Sequence, residues 1–272
     1  MNLRKVMITV IVAICIFSLV YAIYLVVNKN KTENISNIIE DDIIQAVEFD
    51  DLFDNKMNYQ NYEVGNENKI NTTKELVYTA YSQNQAYEGK YDINVNLPII
   101  NINNIKVREI NREIITVFGE KAENIIASSD KENMQNTIYT VEYTAYLNSN
   151  ILSLVIKATL KEGNNAQRVI IKSYTYNISS NEEIPLETMI EIKELNPTAV
   201  KNQIVKTIQE SVAKNANLSA LGYNIYQRDL NSDIYEIKNS NNYFLGPDGT
   251  IYIIYAYGNT RYTSEKDIVV IK

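Results

Sequence analysis

The chain has 272 residues, enough for one large domain or two small ones with a sizeable core. It carries 26 basic and 33 acidic residues, no histidine and no tryptophan, and its single cysteine is Cys15. These counts exclude a His-containing triad, His or multi-Cys zinc sites, thiol redox pairs and internal disulfides, while eight glycines without a Walker or dinucleotide pattern offer no phosphate cradle.

Residues 6–27, "VMITVIVAICIFSLVYAIYLVV", form a run of 22 residues without a charge. At helical rise this spans about 33 Å, the thickness of a bilayer core. A signal peptide cleaved after "VYA" at Ala22 is the competing reading, but the apolar run continues through Val27, which suits an anchor. Ile14 before Cys15 is too large for a lipoprotein site. Arg4 and Lys5 precede the run and Lys29 and Lys31 follow it, so the positive-inside count is nearly balanced. A tail of five residues, 1–5, and a long chain after the run point to a signal anchor with the C-terminal body outside a single-pass cell membrane. Removing Arg4 and Lys5 leaves 24 basic residues against 33 acidic ones outside, a net charge of −9. Such a surface repels nucleic acid and anionic lipid and favours basic partners.

Residues 28–72 read as an acidic tether. Thr32 to Asn55 holds eight acidic residues and no basic one. Its isoleucines leave a short amphipathic helix open as an alternative. Glu48 to Asp54 lacks the alternating pattern and glycine of a calcium loop. The Asn-rich residues 55–70 read as further linker.

The body starts near Thr73. "ELVYTAYS" is β-rich. "KYDINVNLPII" alternates Tyr91, Ile93, Val95 and Leu97, a half-buried strand expected to end at Pro98. A helix follows, with Ile110, Ile114, Val117, Phe118 and Ile125 at three- and four-residue steps and Asn103 or Asn104 as its cap. Its polar face, Arg108, Glu109, Arg112 and Glu113, reads as solvated. "TIYTVEYTAYLNSNILSLVIKATL" is two strands around Asn148-Ser149-Asn150, and "RVIIKSYTYNI" is a third. Asn196 and Pro197 predict the cap and first residue of a second helix with Val200, Ile204, Ile208 and Val212 as its buried stripe. In "NYFLGPDGTIYIIYAYG", Pro247-Asp248-Gly249 predicts a type I turn closing a hairpin, and "DIVVI" adds a strand. The order of elements gives an α+β body of mainly antiparallel sheet with two principal helices, divided into modules 73–180 and 181–272 or folded as one.

No catalytic, metal or cofactor-binding residue is marked by a motif, and the ligand-binding residues are unassigned. Glu265 and Asp267, two apart in a strand, share a face and are the best carboxylate pair for acid–base work. Their plain reading is a solvent-facing sheet edge. Ser153 in "ILSLVI" lacks a nucleophile elbow. The strand tyrosines 139, 143, 146, 174, 176, 252, 255 and 257 read as sheet packing, with stacking on sugars as the functional alternative. The excess of Asn and Tyr reads as codon bias of an AT-rich genome.

The blocks "YDINVNLPIINI" with "REINREI", "YTVEYTAYLNSNILSLVI", "YTYNISSNEEIPLETMI" and "YFLGPDGTIYIIYAYGN" resemble a bacterial extracytoplasmic domain family of unknown function. That family occurs in lysozyme-sensing anti-sigma factors of the RsiV type and ahead of the catalytic domain of some peptidoglycan deacetylases. The resemblance spans residues 73–272 and implies two adjoining α/β modules, similar to a subregion of the actin-like ATPase fold without its nucleotide site. Residues 1–5 are too short for a sigma-binding domain, and no catalytic domain follows Lys272, so neither of those activities is expected. The expectation is a non-enzymatic, membrane-anchored binding or sensing module of the cell envelope. Its partners are expected to be the membrane through residues 6–27 and a lysozyme-like protein or peptidoglycan, with no cofactor and no nucleic acid. The alternatives are a carboxylate-dependent cell-wall hydrolase and a structural part of an envelope complex.

Overall fold

A computed structural model describes residues 49–60, 68–128, 136–223, 225–257 and 265–272. The chain divides into two compact units, 1–52 and 53–272. Of the first, only 49–52 are described, so the expected anchor at 6–27 and most of the expected tether lie outside the described residues. Within the described residues no helix is long and apolar enough to cross a membrane.

The second unit is α+β, and its largest element is a sheet of seven described strands. These are β1 (Met57–Gln60), β2 (Val77–Tyr87), β3 (Tyr91–Ile100), β4 (Thr137–Asn148), β5 (Ile151–Glu162), β6 (Arg168–Asn177) and β7 (Glu182–Glu183). The order is β2-β3-β4-β5-β6-β7, antiparallel except along one edge of β4. There β3 pairs in parallel with Thr137 to Val141, and β1 pairs in parallel with Ala145 to Asn148. Two strands therefore share one side of β4 end to end. The sheet is mainly antiparallel, as the sequence suggested, with two parallel pairings on β4, and part of the expected linker is a strand. Asn55 fills the gap between them: its N–H donates to the Tyr143 carbonyl at 2.8 Å, and its side-chain oxygen accepts from the Tyr143 N–H at 3.0 Å.

β3 runs past Pro98 instead of stopping there. Beyond Val95 it has parted from β4, so at Pro98 the strand is paired on one side only, with β2, as at a sheet edge. On that neighbour, the register of β2 shifts between Thr79, the partner of Pro98, and Tyr81.

The first helical segment covers one face of this sheet. α1 (Ile105–Ile114) starts at Asn104, whose side chain accepts from the Lys106 N–H at 2.8 Å. A π-turn at Ile115–Gly119 joins it to α2 (Glu120–Ala127). Gly119 is closely packed: a β-carbon there would sit 3.0 Å from Leu97 Cδ1, which would have to shift. Val107, Ile110, Ile114, Phe118, Ala122 and Ile125 are buried against β3, β4 and β5 in one apolar cluster. The Tyr139 hydroxyl donates to the Phe118 carbonyl at 3.0 Å, bridging sheet and helix.

A second cluster forms from the rest of the chain. α3 (Leu186–Ile192) is a short helix that the sequence reading did not place. α4 (Pro197–Ala220) begins at Asn196, which caps the Thr198 and Ala199 N–H groups. Val200, Ile204 and Ile208 are buried, while Val212 is half-buried, so the stripe ends a turn early. They pack with a small antiparallel sheet of β8 (Tyr243–Leu245), β9 (Ile251–Ala256) and β10 (Lys266–Ile271), β9 in the middle. The β8–β9 turn is not type I, because Asp248 has φ 56° and ψ 20°, the left-handed region. β8 lies on the face of β5 and β6 opposite α1. Ser153 accepts from the Leu245 N–H at 3.0 Å, and Thr175 donates to the Tyr243 carbonyl at 3.2 Å. These bonds explain a serine inside "ILSLVI".

Candidate functional site

Glu265 and Asp267 do share a side, but they face inward, onto Arg228 from the loop after α4. Arg228 Nε donates to Asp267 Oδ2 at 2.6 Å and Nη2 to Oδ1 at 3.0 Å, while Nη1 reaches Glu265 Oε2 at 2.9 Å. The side chains of Arg228 and Asp267 are each 3% exposed, so the expected solvent-facing edge is corrected to a buried ion cluster. The reason is the loop: Tyr226 donates its N–H to Glu265 Oε1 at 2.8 Å and stacks its ring on Tyr257 at 4.4 Å, bringing Arg228 over β10. Burial works to lower the Arg228 pKa, and the bonds and charges of Asp267 and Glu265 outweigh it and hold it above its usual value. Tyr257 donates to Asp267 Oδ2 at 2.8 Å, so its 2.9 Å bond with the Tyr235 hydroxyl must be donated by Tyr235. Burial, then the Asp267 charge, push the Tyr257 pKa up. This network is closed on itself. It ties a loop to β10 and presents no convergent pair of carboxylates to a cleft, as glycoside hydrolysis requires. Among the described residues no group of three or more Asp, Glu, His or Cys is placed to hold a metal.

The strand tyrosines mostly pack. Tyr139, Tyr143, Tyr146, Tyr174, Tyr176, Tyr255 and Tyr257 are buried, and half-buried Tyr252 stacks on Phe244, which stacks in turn on Tyr146. Their hydroxyls find partners inside the protein: Tyr143 meets Thr79, Tyr176 meets Asn181, Tyr255 meets Ser240. Tyr174 departs from this pattern. The residue is 8% exposed, and its buried hydroxyl makes no well-formed hydrogen bond, with the Glu113 carboxylate beside it.

Tyr174 lines a cleft of about 460 Å³ at the outer edge of β6. β7 covers that edge only at Tyr176 and Asn177. Nearer the cleft the Asn242 side chain stands in for a strand: its amide donates to the Ile171 carbonyl at 2.6 Å and accepts from the Ser173 N–H at 2.9 Å. Glu113 enters from α1 and is ion-paired with Lys172, and Glu183 enters from β7. Tyr243 seals the floor, its hydroxyl donating to the Ile184 carbonyl at 2.5 Å. Burial, then the charge of Glu113 and its hydrogen bond with the Tyr174 hydroxyl, then the charge of Glu183, push the Tyr174 pKa up. Its size and concavity make it a candidate site. Sequence alone missed it: Glu113 read as one member of a solvated helix face, and nothing local distinguishes Tyr174 from its neighbours.

The fold is thus a mixed sheet with one helical layer, joined to a smaller helix-backed sheet. No family model matches the chain, and no curated protein matches it. Among solved structures it is similar to a DUF3298 family protein of Pseudomonas aeruginosa PAO1, at 11% identity over 72% of this chain and 88% of that one, TM-score 0.38. It is also similar to a DUF3298 member from Bacteroides fragilis, at 12% identity over 66% and 80%, TM-score 0.35. Both neighbours belong to a family of unknown function; the likeness says nothing of ligand or activity.

Proposed function

We propose that this chain is a membrane-anchored, non-enzymatic binding module that works outside the cell membrane, at the bacterial envelope. Residues 6–27 act as the anchor, and a lysozyme-like protein or peptidoglycan is the ligand. The observation that carries the reading is an uncharged run of 22 residues joined to a long acidic chain. The cleft beside Tyr174 supports the binding half of the reading. The inward pairing of Glu265 and Asp267 supports its non-enzymatic half. The test is retention of the detergent-solubilised chain on immobilised basic lysozyme and on purified cell-wall sacculi. Saturable retention on one of them is expected, and retention on neither by a chain with native circular dichroism would sink the ligand assignment.

A further inference from the structure

We infer that β2 pairs with the β2 strand of a second copy of this chain, antiparallel about a two-fold axis at Asn84. The inference goes beyond the binding-module reading and does not rest on it. β2 is paired with β3 from Val77 to Tyr87, and no described strand pairs with its other side. In an antiparallel ladder the groups a strand gives one neighbour alternate with groups that point away from it. The free side of β2 therefore presents a row of backbone donors and acceptors. The other edge of the same sheet is treated differently, closed by β7 and by the Asn242 side chain. Sheet edges are commonly guarded by Lys, Pro, inward charges or a bulge. Residues 81–87 have none of these: the strand carries no charge and no proline, and its register shift comes before Tyr81.

The side chains select the partner. From Tyr81 to Tyr87 the strand reads "YSQNQAY", nearly the same in both directions about Asn84. Two antiparallel copies centred there set Tyr81 against Tyr87, Ser82 against Ala86, Gln83 against Gln85 and Asn84 against itself. Residues of matching size and polarity thus meet on both faces of the joined sheet, and aromatic and polar pairs of this kind stabilise neighbouring strands. Tyr81 and Tyr87 are 39% and 52% exposed, so both have apolar surface left to bury. One row is ordered in advance: the Tyr81 hydroxyl donates to Gln83, Gln83 donates to Gln85 at 3.0 Å, and Gln85 to the Tyr91 hydroxyl at 2.8 Å. The chain carries a net charge of −7, yet along this strand two copies meet without setting like charges opposite each other. A charged peptide would find no complementary charge on it.

The experiment uses the full chain in detergent, with Cys15→Ser removing its only thiol. Sedimentation is expected to show a concentration-dependent dimer. Asn84 is exposed, so Asn84→Lys keeps the fold, checked by circular dichroism, while it sets two ammonium groups against each other. It should raise the dimer dissociation constant about tenfold or more. Asn84→Cys should cross-link with itself on mild oxidation, since facing β-carbons lie about 5 Å apart. Ser82→Cys should not, because its two copies stand about 13 Å apart along the strands. It should link instead to Ala86→Cys when the two chains are mixed. A monomer at every concentration would leave this edge to a different partner and overturns the proposal. So does a dimer indifferent to Asn84→Lys, absence of the Asn84→Cys link, or self-linking of Ser82→Cys as complete as that of Asn84→Cys.

Discussion

Asn111 sits on the buried side of α1. Its amide accepts from the Ile100 N–H and donates to the Ile100 carbonyl, both at 2.9 Å, as a neighbouring strand would. Asn101 ties down the approach to β2 in the same manner, accepting from the Asn71 N–H and donating to the Asn71 and Glu75 carbonyls. Asn55 and Asn242 complete ladders on β4 and β6. Asn111→Leu keeps the volume but strands an N–H and a carbonyl in the interior. It should lower stability by about 2–3 kcal/mol in urea titrations, against about 1 kcal/mol for loss of the exposed cap in Asn196→Ala. Arg228→Met leaves Asp267 buried without its cation and should cost about 3–5 kcal/mol. Adding Asp267→Asn should return part of that loss, which a double-mutant cycle will read. None of this was legible from composition. An asparagine excess looks like codon bias until the backbone each amide faces is known, and the partner of Asp267 lies 39 residues away in a loop without pattern.

At the scale of elements, alternation and capping were informative. The hairpin of β4 and β5, the edge of the first helix at Asn104 and the Asn196–Pro197 start of α4 follow directly from local chemistry. What local chemistry could not show is β1. Its four residues alternate, Met57 and Tyr59 with Asn58 and Gln60, but the run is too short to mark a strand; Met57 alone is buried, and the strand occupies the half of a β4 edge that β3 leaves open. Pro98 misleads for a related reason: past Val95 one side of β3 has no β4 partner, and on the other side Pro98 faces a register shift of β2. A chain starting at residue 53 should therefore be more stable than one starting at 73, by about 2–4 kcal/mol from the buried methionine and the lost ladder. Equal urea midpoints for the two would contradict the placement of β1. Hydrogen exchange offers a second reading: the Ala145 amide, which donates to the Lys56 carbonyl at 3.0 Å, should lose its protection in the shorter chain.

At the scale of the molecule, most of the strand tyrosines of β4, β6 and β9 are buried, and that shapes the response to pH. Burial, eased in part by Ser240, pushes the Tyr255 pKa up to about 12, and burial likewise raises Tyr139, Tyr143 and Tyr243. A raised folded pKa means the folded state keeps its proton while the unfolded chain, near 10, gives it up. The stabilisation is complete below about pH 10 and is lost as pH climbs from there toward 12, each such tyrosine contributing up to about 1.4 kcal/mol per pH unit. Unfolding should be steep and alkaline, and the step in tyrosinate absorbance that comes from the buried rings should coincide with loss of circular dichroism. Full tyrosinate absorbance reached before unfolding would show the buried rings to be accessible. The α+β class and the packing role of the tyrosines were legible in the sequence because strand alternation reports burial. The cleft was not, because it is assembled from α1, β6, β7 and the run before β8, none of which carries a motif. The central claim, a binding body held outside the membrane by residues 6–27, is tested most directly by protease treatment of intact cells expressing the full chain. Digestion of the body in intact cells is the predicted result; protection in intact cells with digestion only after lysis would contradict it.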